Sequence, residues 1–172
     1  RAAFKLEEIE HKFKIIEKSK EVLELGASPG GWTQVIVNSN SFVNITCFDL
    51  LEMKLKNKNI TFFKEDFLNY DFNNFKNKFD LVLSDIAPNT TGHQSTDHLK
   101  ISQLINEIIE RLKFILKVKG SFIFKIWKGE EEKEIINKLK LMFNKVDYFK
   151  PKSSRKESSE IFIISREFKI ND

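Results

Sequence analysis

The chain has 172 residues, 41% of them hydrophobic, and carries a formal net charge of +4 with a pI near 9.0. That size and composition fit one globular domain with a sizeable core, while no apolar run approaches the ~20 residues of a membrane span and no signal-peptide pattern is present. The lone cysteine, Cys47, excludes an internal disulfide and has no metal-ligand spacing around it, so a reducing compartment and a metal-free fold are the default. The basic balance suits a phosphate-rich partner, although an excess of Lys beside many Asn and Ile is also what AT-rich codons favour. The first residue is Arg1 rather than Met, as expected of a fragment or a processed form.

From Arg1 to Glu17, Phe4, Leu6, Ile9, Phe13 and Ile16 recur among charges with a loose helical period, predicting a basic amphipathic helix over 1–17 that carries Lys5. Val22, Leu23 and Leu25 then form a short apolar run of the kind a buried parallel strand shows. It breaks into Gly26-Ala27-Ser28-Pro29-Gly30-Gly31-Trp32, and a helical pattern resumes from Thr33 to Val37. Further strands are predicted at Val43–Phe48, ending at Asp49, and at Ile60–Phe63, ending near Asp66. Asn69–Lys78 reads as a short helix or loop anchored by Phe72, Phe75 and Phe79.

Phe79–Asp85 is the next strand, closed by Ile86-Ala87-Pro88-Asn89 and followed by a polar stretch through Thr96 that reads as a mobile loop. Ile101, Leu104, Ile105, Ile108, Leu112, Ile115 and Leu116 keep helical spacing, predicting a helix over Asp97–Lys119 with Lys113, Lys117 and Lys119 loading its last turn before Gly120. Phe122–Trp127 is apolar except for Lys125. A helix at Glu130–Phe143 and a closing hairpin of Val146–Phe149 with Ile161–Ile164 complete the pattern. Alternating strands and helices with short connections predict an α/β, Rossmann-like fold: a mostly parallel sheet with helices on both faces and an antiparallel C-terminal hairpin, all in one domain, 1–172.

In such sheets, ligands settle beyond the carboxyl ends of the strands, against backbone N–H groups that a glycine-rich turn leaves uncovered. Gly26, Gly30 and Gly31 are therefore candidate binding positions. Asp49 lies nineteen residues after Gly30, near the distance at which an acidic residue accepts hydrogen bonds from a ribose diol, and Asp66 is placed to meet an adenine amine. The turn is neither Gly-x-Gly-x-x-Gly nor a P-loop, which disfavours a pyrophosphate. What remains is a nucleoside with a short polar tail, and S-adenosylmethionine fits that description. Lys125, set between Phe124 and Ile126, is costly if buried alone, so it calls for a carboxylate or a cleft; Asp85, at the end of a neighbouring strand, is the natural partner.

With these residues in place, the chain resembles the FtsJ (RrmJ) family of ribosomal RNA 2′-O-ribose methyltransferases over essentially its whole length. The matching stretches are Arg1-Ala2-Ala3-Phe4-Lys5-Leu6, Leu25 to Trp32, Asp49-Leu50-Leu51, Asp66-Phe67, Ser84 to Asn89, Phe124-Lys125-Ile126, and Lys150-Pro151 through Ser153-Ser154-Arg155 to Glu160. The resemblance implies a seven-stranded S-adenosylmethionine-dependent methyltransferase fold and a catalytic tetrad of Lys5, Asp85, Lys125 and Glu160. Gly30, Trp32, Asp49, Asp66 and Asp85 would bind the cofactor, with S-adenosylhomocysteine as product. It further implies methylation of a ribose, a uridine in large-subunit ribosomal RNA, by a monomer inside the cell, in the cytoplasm or an organelle. Transfer RNA, a messenger cap, or a non-catalytic role in ribosome assembly are the alternative readings. Glu24 stands where the family usually has Asp and is expected to keep the charge; Ser28 replaces a frequent Ala. Lys5, Lys12, Lys14, Lys152, Arg155 and Lys156 are expected to form a basic rim for RNA phosphates around the site.

Overall fold

The computed structural model describes residues 2–86 and 91–169, so Arg1 and the Ala87-Pro88-Asn89 part of the expected strand closure lie outside the described residues. In chain order the elements are α1 (Ala2–Phe13), β1 (Glu21–Leu25), α2 (Gly31–Ser39), β2 (Asn44–Phe48), β3 (Ile60–Phe63), β4 (Phe79–Ser84), α3 (Gln94–Ile115), β5 (Leu116–Trp127), α4 (Glu130–Met142), β6 (Phe143–Phe149) and β7 (Glu160–Phe168). The seven strands form one sheet in the order β3-β2-β1-β4-β5-β7-β6. β3, β2, β1, β4 and β5 run parallel, and β7 is antiparallel to both β5 and β6. The α/β reading with a closing antiparallel hairpin is the fold observed.

Strand residues alternate between faces with a period of two, and that alternation divides the core. Leu23, Val82, Phe122, Phe124 and Ile163 pack with α3 and α4, against Ile105, Ile108 and Leu139. Val22, Leu83, Ile123 and Phe162 pack on the opposite face with α1 and α2, against Leu6, Ile9 and Ile36. Lys125 shares the parity of Ile123, Asp85 that of Leu83, and Glu160 that of Phe162. All three therefore belong to the face that α1 covers. Leu6 and Ile9, both fully buried, dock α1 there, each stabilising it by about 1.5–3 kcal/mol.

Four sequence expectations need correction. The first helix stops at Phe13 rather than Glu17, because Lys14 turns left-handed (φ 52) and Glu10 accepts hydrogen bonds from the N–H groups of Ile16 (2.7 Å) and Glu17 (3.0 Å). Nor is it basic, since Lys5 and Lys12 stand against Glu7, Glu8 and Glu10. The polar stretch expected to be a mobile loop through Thr96 has its last residues inside α3, and Asp97 ties its approach by accepting from the Thr91 N–H (2.7 Å), the Thr91 hydroxyl (2.9 Å) and the Gly92 N–H (3.2 Å).

At its far end α3 stops at Ile115, so Lys117 and Lys119 belong to β5 and not to a last helical turn. The N–H groups of Asn77 and Lys78 take the Phe114 and Ile115 carbonyls at 2.8 and 3.0 Å, and Leu116 pairs beside Phe79. The helix ends where sheet pairing claims its carbonyls. Where a short helix or loop is expected over Asn69–Lys78, the chain forms one short 3-10 turn, Asn73–Phe75, and a second, Phe67–Asn69, ends at its first residue.

Candidate active site

β4, β5, β7 and α1 each bring one charged side chain to the carboxyl end of the sheet. Lys125 Nζ lies 3.1 Å from Asp85 Oδ1 and 3.8 Å from Glu160 Oε1, and Lys5 Nζ donates to Glu160 Oε2 at 3.2 Å. The result is a continuous chain of alternating charge, Asp85–Lys125–Glu160–Lys5. Its Lys125 and Lys5 side chains are only 13% and 17% exposed, and both carboxylates 24%. Burial pushes the Asp85 carboxyl above its ordinary value against the pull of Lys125. Partial burial also lifts Glu160, but Lys125, Lys5 and Lys150 together outweigh it and hold that carboxyl below its ordinary value. Two neighbouring carboxyls are thus driven in opposite directions, a pattern typical of reactive sites.

A cleft of about 420 Å³ opens on the Asp85 side. Gly26, Asp49, Asp66 and Asp85 line it, so the ends of β1, β2, β3 and β4 converge as expected of a parallel sheet. Its apolar wall is Phe67, Leu68 and Ile86 with Leu104 and Ile108 of α3. Asp49 is held by the N–H groups of Ser28 (2.8 Å) and Leu51 (2.9 Å), and Asp66 by the Leu68 N–H (3.0 Å) and the Asn69 side-chain amide (3.2 Å). Each carboxylate keeps further acceptor capacity, since its two oxygens offer about four lone-pair sites. Gly26, at φ +76, forms the floor; a Cβ there would come within 3.0 Å of Ile86 Cγ1.

On the other side of the charged chain, Lys5 and Glu160 line a second recess of about 340 Å³ with Arg155, Glu157 and Ser158. The loop that forms it is fastened to α1 by Glu8, which accepts from the N–H groups of Lys152 (2.7 Å) and Ser153 (3.1 Å) and from the Ser153 hydroxyl.

Sequence similarity and three-dimensional likeness agree on the family. The model of the FtsJ-like methyltransferase family matches residues 1–168. The chain belongs to the FtsJ-like methyltransferase family. It is 41% identical to the ribosomal RNA large subunit methyltransferase E of Wolbachia pipientis, the match covering 98% of this chain and 88% of the relative. With the same-named protein of Brachyspira hyodysenteriae the identity is 39%, covering 98% and 89%. Among solved structures, one described as a ribosomal RNA methyltransferase from Plasmodium falciparum superposes with a TM-score of 0.83 at 28% identity, covering 98% of this chain and 97% of the other.

The glycine-rich turn of the methyltransferase also has packing roles. Gly30, Gly31 and Trp32 do not line the cleft. Gly30 (φ 121) caps α2 and leaves room for Leu55, whose Cβ would lie 3.1 Å from an added Cβ. Trp32 is buried, leans on Phe162 and donates its indole N–H to the Ala2 carbonyl at 2.9 Å, which secures the start of α1 and with it Lys5. Among the cleft residues that sequence reasoning passed over are Ser28, Phe48, Leu104 and Ile108. Ser28, in place of a frequent Ala, is a small polar residue that announces no ligand, and the other three carry an ordinary core signature that gives no sign of a cavity.

Glu24 is a correction of another kind. It is 1% exposed, away from the cleft, and accepts the Thr33 hydroxyl hydrogen bond. Burial raises its pKa from the ordinary 4.5 to about 8, so at neutral pH it is mostly uncharged and does not keep the charge expected of it. A carboxyl whose pKa is raised by folding stabilises the native state fully below 4.5 and progressively less as pH climbs through about 8. Glu24→Gln, which preserves an acceptor for Thr33, is expected to flatten the fall in Tm between pH 5 and 8; melting curves across that range, compared with the parent protein, check this.

The expected basic rim is only partly assembled. Lys152, Arg155 and Lys156 are exposed on the loop beside Glu160, while the Lys12 amine lies over the rings of Phe13 and Phe149. Lys14 is elsewhere, in a recess at the opposite end of the sheet.

Proposed function

We propose that the protein transfers a methyl group from S-adenosylmethionine to a ribose 2′-hydroxyl in large-subunit ribosomal RNA, at a uridine, and that the 172 residues act as one monomeric methyltransferase domain inside the cell, in the cytoplasm or an organelle. The observation that carries this reading is the Asp85–Lys125–Glu160–Lys5 chain, set between two recesses: one with carboxylates and apolar walls, the other with Lys5 and Arg155. The names of the relatives, ribosomal RNA large subunit methyltransferase E, support the ribosomal RNA substrate.

The residues of the larger cleft suit the donor. Asp49 offers acceptor oxygens for a ribose diol, Asp66 for an exocyclic amine, and Asp85 a negative charge for a cationic tail, while Phe67, Leu68 and Ile86 give a planar base an apolar wall. When bound, S-adenosylmethionine supplies an electrophilic methyl on a sulfonium sulfur that departs as a neutral thioether. The protein's own contribution is alignment and proton handling. Lys125 meets the attacking 2′-hydroxyl and takes or steers its proton as the new O–C bond forms. Asp85, 3.1 Å away, fixes the direction of the amine, and Lys5 with Glu160 completes the polar shell around the target ribose.

Incubation with radiolabelled methyl donor and a panel of large-subunit ribosomal RNA, transfer RNA and capped messenger transcripts, followed by mapping of the modified position, tests this. The expected product is a single 2′-O-methyl uridine in the ribosomal RNA. Label on a base, or on transfer RNA or caps alone, refutes the assignment.

A further inference from the structure

At the end of the sheet opposite the charged chain lies a recess of about 350 Å³ between α1 and the starts of β4 and β5. Lys14, Lys18, Lys119, Lys145 and Arg166 line it, together with only two acids, Asp80 and Glu167. Both acids are already engaged. Asp80 faces Lys117 at 3.5 Å and accepts the N–H groups of Lys20 and Glu21, each at 2.9 Å; Glu167 pairs with Lys145 at 3.2 Å, and Arg166 pairs with Asp147 at 2.9 Å. Among the described residues, Lys14, Lys18 and Lys119 have no carboxylate partner, so three exposed cations converge on one concavity.

The backbone is bent to put them there. Among the described residues, four non-glycine residues have positive φ, and three of them, Lys14 (52), Lys119 (70) and Glu167 (62), line this recess. Such conformations are uncommon outside glycine. Pairing of β4 with β5 jumps from Phe79↔Leu116 to Leu81↔Ser121, so Lys117–Gly120 bulges from the sheet and turns Lys119 outward. Gly120 permits the bulge, since a Cβ there would lie 2.7 Å from Leu116 Cδ1 and from the Lys117 carbonyl oxygen.

Three elements connect this recess to the reactive end. α1 carries Lys5 near one end and leads into Lys14; β5 carries Lys119 and Lys125; β7 carries Arg166 and Glu160. At about 1.5 Å per helical residue and about 3.3 Å per strand residue, the two ends are roughly 15–20 Å apart. We propose that the recess is a second RNA-contact site, in which Lys14, Lys18 and Lys119 hold phosphodiester groups of the substrate roughly 15–20 Å from the ribose at Lys125. This assignment rests on RNA being the substrate. It makes the protein a reader of folded RNA along one side of the molecule rather than of a single exposed nucleotide.

The test is the salt dependence of binding to a large-subunit ribosomal RNA transcript, which needs no turnover. The variant K14N/K18Q/K119N uses Asn where φ is positive and alters only exposed side chains. Each phosphate contact contributes about 0.7–0.9 to the slope of log K against log salt, so the variant's slope is expected to fall by about 2–3, and its affinity loss between 50 and 200 mM salt to shrink by about 20- to 40-fold. With saturating RNA its kcat should match the parent while KM rises. A control, K54Q/K56Q/K58Q, removes the same charge elsewhere and should leave the slope nearly unchanged.

An unchanged slope in K14N/K18Q/K119N overturns the proposal, as does an equal fall in the control. If inorganic tripolyphosphate saturates the parent and not the variant while the RNA slope stays constant, the recess takes a small polyphosphate and the RNA assignment is refuted. A fall in slope with no RNA methylation by the parent would leave this contact standing and refute the proposed function instead.

Discussion

Replacing Lys125 with Met is expected to lower the rate of methyl transfer by about 10²–10⁴, the range for a positioned acid-base group, while leaving donor binding largely intact. Lys125 is the hinge of the charged chain, 3.1 Å from Asp85 and 3.8 Å from Glu160. Met keeps most of the stem that packs in the strand and removes only the ammonium. Asp85 then loses its close cation and its carboxyl rises further above its already raised position, whereas Glu160 retains Lys5 at 3.2 Å.

The change should therefore appear in kcat more than in stability. The two carboxylates are about a quarter exposed, so the stability loss stays under the about 3–5 kcal/mol of a fully buried broken pair. Single-turnover transfer to ribosomal RNA, with donor binding followed in parallel by calorimetry, separates the two effects. Transfer at the parental rate would remove Lys125 from the mechanism.

Phe48→Ala is expected to have the largest effect on the fold near the site. Phe48 is 2% exposed and stacks on Phe63 at 4.9 Å, with edge contacts to Tyr70 at 5.0 Å and Phe67 at 5.2 Å. Emptying such a position costs about 3–5 kcal/mol, which for a domain of this size lowers Tm by roughly 6–20 °C. The loss has a functional side. Phe48 precedes Asp49 in the chain, Phe67 follows Asp66, and all four line the cleft. A variant that survives at low temperature should bind the donor more weakly than its stability alone explains. Urea denaturation supplies the first number and calorimetry the second. Phe42→Ala, at a 90% exposed side chain, is the matched control and should change stability by less than about 0.5 kcal/mol.

Much of the fold was legible in the chain because its signals are local. The continuous apolar run of Phe122–Trp127, the apolar spacing of Ile101 to Ile115 and the Gly26 turn each act within a few residues, and β5, α3 and the β1–α2 turn form over these residues. Lys125 announced a partner through the cost of burying an amine alone, and Asp85 stands 3.1 Å from it. Element ends were less legible. α3 stops at Ile115 because Asn77 and Lys78, nearly forty residues earlier, take its final carbonyls.

By itself, then, the sequence determined the order and type of the elements, the convergence of Asp49, Asp66 and Asp85 at strand ends, and the need of Lys125 for a counter-charge. Periodicity, turn chemistry and desolvation cost are short-range properties that every residue carries with it. Only the tertiary structure decided that Lys5 meets Glu160 across 155 positions, that Trp32 anchors α1 instead of lining the cleft, that Glu24 is neutral under Thr33, and that Lys14 faces the far recess rather than the reactive end. Those outcomes depend on which faces pack together and how far water is excluded between them, and neither is written in any local stretch of the chain.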